Sequence, residues 1–178
     1  MLGYQKIEFL WQQAAQDGYE FAWIDTCCID KRSSAELSEA IKSMFEWYRK
    51  SEVCYALLTD IEHNSFLDSR WWTRAWTLQE LVAPTNVIFF NAQGTIGTKV
   101  DLASLIEAFT GIAHETLINP DSLFDRSVAQ RMCWASKRIA TRSEDIAYSF
   151  LGIFQINMPL LRTLAIFNHV IYTLELSN

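Results

Sequence analysis

In the segment TRAWTLQEL, Glu80 lies four residues after Trp76 and six after Arg74. On a helix, residues four apart share a face, so Trp76 and Glu80 are expected to stand together. A carboxylate beside an indole in an apolar stretch needs either a raised pKa or a dedicated partner. Arg70 and Arg74 are the nearest cations along the chain. A plainer arrangement has Trp76, Leu78 and Leu81 packed inward and Glu80 left to solvent. A second group of polar residues sits in WIDTCCID. Asp25 and Asp30 flank the end of the apolar run EFAWID (20–25), which reads as a strand buried on both faces, as in a parallel sheet. Ligands collect outside the carboxyl ends of such strands, and this points to Asp25, Thr26, Asp30 and Lys31. Loop chemistry accounts for the same residues, with Asp25 capping a turn and Asp30 paired to Lys31 or Arg32.

The remaining reactive side chains form no familiar constellation. His63, His114 and His169 are scattered, none beside a Ser or Cys in a nucleophile motif, and no Gly-rich phosphate loop is present. The four cysteines, Cys27, Cys28, Cys54 and Cys133, lack zinc spacing. On a strand, Cys27 and Cys28 would face opposite sides. The expectation is no metal site, and reduced, buried thiols in a cytoplasmic chain.

Several elements must position these residues. Residues 4–16 read as an amphipathic helix with Ile7, Leu10, Trp11 and Ala14 on one face, stopped by Gly18. Ser33 and Glu36 form a capping box, after which Leu37, Ala40, Ile41, Met44, Phe45 and Tyr48 recur at helical spacing. Residues 52–59 read as a strand, so 20–59 reads strand–helix–strand, a right-handed parallel crossover. A polar loop, DIEHNS (60–65), precedes a short helix over 73–83 that Pro84 helps to end. A strand over 86–90, a turn over 91–94 and a helix over 101–110 with Gly111 as its stop come next. Helices are expected over 127–139 and 143–151, the second opened by a Thr141–Glu144 capping box and stopped by Gly152.

Bulk properties bound the function. A length of 178 residues suits one domain. Half of the residues are hydrophobic and 13% aromatic, ample for a core. The net charge of −6 and the lack of any dense Lys/Arg run exclude a phosphate-backbone binder and an anionic membrane surface as partners. No stretch has the length and apolarity of a membrane span, and no secretory signal is visible.

The segments WIDTCCIDKRSSAELSEAIKSMFEWYRKSEVCYALLTD, SRWWTRAWTLQELVAP, IGTK and RMCWASKRIATRSEDIAYSFLGIFQINMPLL together resemble the fungal heterokaryon-incompatibility (HET) domain family, over roughly residues 4–161. The resemblance implies a domain over 1–161 and a divergent tail over 162–178. Family members usually open with a strand reading like YAxLSHxW, and they follow NMPLL with a Tyr-Gly-Glu-Gly segment. This chain has neither, so the first strand is expected to be missing. The implied fold is α/β: a flavodoxin- or TIR-like parallel sheet flanked by helices, with a helical C-terminal part.

HET domains are implicated in non-self recognition after cell fusion and in programmed cell death. Their similarity to TIR domains, some of which cleave NAD, implies a role for Glu80. The TIR catalytic glutamate sits in a Trp-Cys-x-x-Glu-Leu type segment. The stretch from Trp76 to Leu81 keeps that spacing, with Thr77 in place of the Cys. NAD would then be a substrate, with no cofactor required, and Asp25, Asp30, Arg74 and Trp76 would bind it. Expulsion of neutral nicotinamide needs no general acid, so one carboxylate suffices to stabilise oxocarbenium-like charge, unlike the pair used by glycosidases. The alternatives are a non-enzymatic module that binds a second copy or a partner signalling domain through an aromatic surface at Phe66, Trp71 and Trp72, and an inactive fragment.

Overall fold

A computed structural model describes residues 2–61 and 66–156 of the chain. The tail 162–178, the NMPLL segment (157–161), residues 62–65 of the DIEHNS loop with His63, and His169 lie outside the described residues. The chain divides into two compact units, Met1–Ala40 and a second from Ile41 onward.

In the first unit, α1 spans Leu2–Gln16. Gly18 comes just after it with φ +83°, a left-handed conformation that glycine adopts without strain. The expected apolar face holds only in part. Ala14 is buried, but Trp11 is 69% exposed. The strand expected over 20–25 does not form. Residues 20–24 have no ladder partner among the described residues, and Phe21 is 89% exposed. A strand is fixed by pairing its backbone N–H and C=O groups, and an apolar run alone does not supply the neighbour. The chain instead turns into a short helix, α2 (Asp25–Cys28), with the Cys28 N–H donating to the Ile24 carbonyl at 3.0 Å. The strand–helix–strand crossover over 20–59 is therefore absent.

Helix α3 (Ser34–Lys50) begins as its sequence dictates, with one change. The Ser33 hydroxyl accepts from the Glu36 N–H at 3.3 Å, as a capping serine does. The Glu36 carboxylate, however, accepts from the Asp30 N–H at 2.7 Å, because the Ser33 N–H is already donated to the Asp30 carbonyl. The box is spread over one more turn of chain.

The second unit is α/β, a small three-stranded mixed sheet flanked by helices. Strand β1 (Cys54–Leu57) pairs in parallel with β2 (Val87–Asn91), Cys54 opposite Val87 and Leu57 opposite Phe90. Strand β3 (Gly94–Thr98) returns antiparallel along β2 with a bulge at Phe89/Phe90. This sheet is thus not purely parallel. GTIGT hides its strand character, since its two glycines and its exposed positions give no apolar alternation. The two-residue loop between Asn91 and Gly94 makes the hairpin, aided by the Asn91 side chain accepting from the Gln93 N–H at 2.9 Å.

Helix α4 is shorter than expected, Thr77–Val82, and is preceded by a 3₁₀ turn at Arg70–Thr73. Leu78, Leu81 and Val82 are fully buried with Phe89, Ile106, Leu117 and Ile153. Helix α5 (Ala103–Thr110) stops at Gly111, φ +72°, as its sequence predicts. Next come α6 (His114–Ile118) and α7 (Val128–Ala135), the latter opened by a complete Ser127–Gln130 capping box. Helix α8 spans Ser143–Tyr148 with Arg142 at its N-cap and no side-chain cap, so the Thr141–Glu144 box is not made.

The aromatic residues Phe66, Trp71 and Trp72 are not a contact surface. Trp71 and Trp72 are 7% and 4% exposed, and both stack edge-on or tilted against Phe89, as does Phe66. Each buried indole N–H finds an acceptor, as burial demands. Trp72 donates to the Phe66 carbonyl at 2.8 Å and Trp134 to the Gly111 carbonyl at 3.1 Å.

Gly152 lies beyond α8 and is not its stop. It is there because the chain passes Phe45 closely: a Cβ on residue 152 would lie 2.1 Å from the Phe45 Cβ. Gly152→Ala is expected to lower stability by about 1–3 kcal/mol, the usual range for overpacking. Urea unfolding should show this as a lower midpoint at an unchanged slope.

Candidate functional site

The carboxyl end of β1 leads into Asp60, which organises the turn at residues 69–73. Its carboxylate accepts from the Ser69 hydroxyl at 2.7 Å, the Arg70 backbone N–H at 2.9 Å and the Arg70 side chain at 3.0 Å. Partial burial pushes the Asp60 carboxyl up, but the donors from Ser69 and Arg70 outweigh it and hold the pKa at about 2. Ser69 in turn caps the 3₁₀ turn by accepting from the Trp71 N–H. The turn is thereby fixed with the Trp71 indole N–H donating to Glu80 Oε2 at 3.2 Å.

Glu80 is half-buried on α4. Among the described residues its side-chain donor is Trp71, and no ion pair to Arg70 or Arg74 is made. Arg70 is committed to Asp60. Among the described residues, a cation whose charge is felt at Glu80 is Arg138, 64 residues after Arg74 and buried. Its Nη1 donates to the Arg74 carbonyl and to the Thr77 hydroxyl, each at 2.9 Å. Burial pulls the guanidinium down to about 10, and the Glu80 charge pushes back, so the group stays cationic at neutral pH. A short parallel bridge brings Arg138 in: the Ala75 N–H donates to the Ile139 carbonyl at 2.8 Å, and the Ile139 N–H to the Thr73 carbonyl at 2.7 Å.

Two further buried groups lie by α4. Lys99, fully buried, donates from Nζ to the Leu81 carbonyl at 3.2 Å and the Pro84 carbonyl at 2.5 Å, closing the end of the helix. Burial lowers its pKa to about 8. Burial also pushes the Cys54 thiol up, and the Glu80 charge adds to the effect. Gln79 donates to the Ser149 carbonyl at 2.8 Å, tying α4 to the turn after α8, while its buried Oε1 meets no donor among the described residues.

The other expected site residues are placed differently. Trp76 is half-buried at the N-cap of α4, and the indole on Glu80 Oε2 is that of Trp71. Arg74 is exposed and contributes its backbone carbonyl. Asp25 and Asp30 belong to the first unit, and the strand end that would make them ligand-prone is absent. Asp25 pairs with Lys31 at 3.8 Å, and Asp30 makes a two-pronged contact with Arg32 at 3.0 and 3.2 Å. The Arg32 hydrogen bonds hold the Asp30 carboxyl below its usual range. Loop chemistry thus accounts for both aspartates.

Sequence proximity misses Asp60, Trp71, Lys99 and Arg138. The usable signal was a cation inside otherwise family-like stretches, Lys99 in IGTK and Arg138 in SKRIATRSED.

Comparison with known proteins agrees with the resemblance. Residues 4–67 match the family described as Heterokaryon incompatibility protein (HET). The chain is 47% identical over 173 residues to the Vegetative incompatibility protein HET-E-1 of Podospora anserina, covering 90% of this chain and 13% of that protein. The chain thus spans about one-eighth of the length of that relative. No solved structure matches the chain significantly.

The Asp60 clamp makes an acid-stability prediction. A carboxyl depressed from 3.8 to about 2 on folding contributes stability that is fully present above 3.8 and lost as pH falls toward 2. Between those values the wild type should lose more stability than Asp60→Asn. Urea midpoints at pH 6, 4 and 2.5 (roughly spanning that window) check this; parallel losses in both proteins would contradict it.

Proposed function

Because the chain belongs to the heterokaryon-incompatibility (HET) domain family, we propose that it serves vegetative incompatibility, and that it acts by cleaving NAD with Glu80 as the catalytic carboxylate. The supporting observation is the Trp71 indole N–H on Glu80 Oε2 at 3.2 Å. It fixes a half-exposed carboxylate in one orientation before any substrate arrives, and a fixed charge needs no reorganisation during reaction. The buried Arg138 guanidinium nearby is attracted to the Glu80 charge.

In this reaction the bond between the nicotinamide nitrogen and the ribosyl carbon breaks. The electron pair leaves with nicotinamide, which departs neutral. Positive charge develops on the ribosyl ring, and the Glu80 carboxylate stabilises it. Water adds to the ribosyl carbon and releases a proton to solvent. The chain's own task is to hold one carboxylate against developing charge. Arg74 and Trp76, adjoining α4, are the residues proposed to shape the substrate site, and a second copy of the domain is the proposed partner.

The test is nicotinamide release from NAD by the purified domain, free and clustered on a support. Wild type should release nicotinamide, and Glu80→Gln, which keeps the shape, should lower kcat by about 10²–10³-fold. Trp71→Phe should fall between them, since it leaves the carboxylate but removes its anchor. Absent release, or equal release by wild type and Glu80→Gln, would reject the reading.

A further inference from the structure

The sequence favours buried thiols, yet three of the four cysteines are exposed and only Cys54 is buried. Two of the exposed ones, Cys27 and Cys28, are adjacent on α2, and their sulfurs lie 3.9 Å apart. A strand would have turned these side chains to opposite faces. In the helical turn α2 the two sulfurs instead approach to 3.9 Å and stay open to solvent.

We propose that Cys27 and Cys28 form a redox modification site that closes to a vicinal disulfide on exposure to a small disulfide oxidant such as oxidised glutathione. Among the described residues no group of three or more His, Cys, Asp or Glu side chains is placed to hold a metal ion. Two thiols in contact and open to solvent are placed for oxidation to a disulfide. Burial first, and then the hydrogen bond with the neighbouring thiol, pushes the Cys27 thiol up; whichever thiolate attacks first, the touching neighbour resolves the mixed disulfide.

The step balances. One of the two sulfurs, having given its proton to solvent, attacks one sulfur of oxidised glutathione and expels a glutathione thiolate. Its neighbour loses its proton and attacks the protein sulfur of the mixed disulfide, expelling the second glutathione. The pair gives up two electrons and two protons, and one oxidised glutathione becomes two reduced ones.

Geometry sets the consequence. The sulfurs must close from 3.9 Å to about 2.0 Å, and neighbouring Cα atoms across a trans peptide are closer than most disulfides prefer. The backbone at 27–28 must therefore leave its helical conformation. Helix α2 has only four residues, so the change disturbs little: the Cys28 N–H to Ile24 hydrogen bond and the nearby Asp25–Lys31 ion pair. Such a bond is strained and correspondingly easy to reduce, as a switch requires.

The experiment treats the reduced full chain with oxidised glutathione, blocks remaining thiols and maps peptides by mass. The expected product is the peptide carrying both residues, lighter by two hydrogens and restored by dithiothreitol. Cys28→Ser should instead hold glutathione on Cys27 as a stable adduct, as should single exposed Cys133. Circular dichroism on Cys28→Ser confirms that the variant is folded. Stable glutathione on both sulfurs of the wild type, cross-linking between chains through them, or a pair left unmodified while Cys133 reacts would each overturn the proposal.

Discussion

Asp60 receives three hydrogen bonds from Ser69 and Arg70, and the geometry of the candidate site depends on that clamp. The residues it holds form the start of a 3₁₀ turn whose next side chains are Trp71 and Trp72. Two bulky indoles are thereby driven into the core against Phe89. One indole N–H is satisfied by a carbonyl and the other by the Glu80 carboxylate. An unpaired indole at that depth would lose the hydrogen bond it makes to water in the unfolded chain. The clamp, the burial of Trp71 and the orientation of Glu80 are therefore one arrangement, not three.

Arg138 and Lys99 complete it from distant parts of the sequence. A buried cation is tolerated only where polar groups replace its hydration. Arg138 finds them in the Arg74 carbonyl, the Thr77 hydroxyl and the field of Glu80. Lys99 finds them in the carbonyls at the end of α4. Both cations serve the same six-residue helix, which is too short to hold its own shape by local propensity. The helix that carries Glu80 is thus defined by its surroundings: Leu78 and Leu81 in the core, Gln79 on the Ser149 carbonyl, and a buried cation near each end.

The helices with strong local signals were legible in the sequence. α1, α3 and α5 carry apolar periodicity, and their Gly18, Ser33 and Gly111 boundary residues fall where capping chemistry puts them. Strands β1 and β2 were legible as apolar runs. β3 was not, since an exposed edge strand with two glycines lacks alternation. EFAWID failed in the opposite direction. Its composition suits a buried strand, but composition does not provide a neighbouring backbone.

The sequence by itself pointed to the family, through motifs spread over roughly residues 4–161, and through that resemblance to the α/β class and to Glu80 as a candidate. Tertiary structure alone decided what surrounds Glu80. Its partners, Trp71 and Arg138, lie 9 and 58 positions away in the chain. They meet it through a turn clamped by Asp60 and a bridge between residues 74 and 139. Arg70 and Arg74 are closer in sequence, yet one is spent on Asp60 and the other is exposed. The reason is that charge pairing in a folded chain follows burial and backbone pairing, and neither is a function of sequence separation.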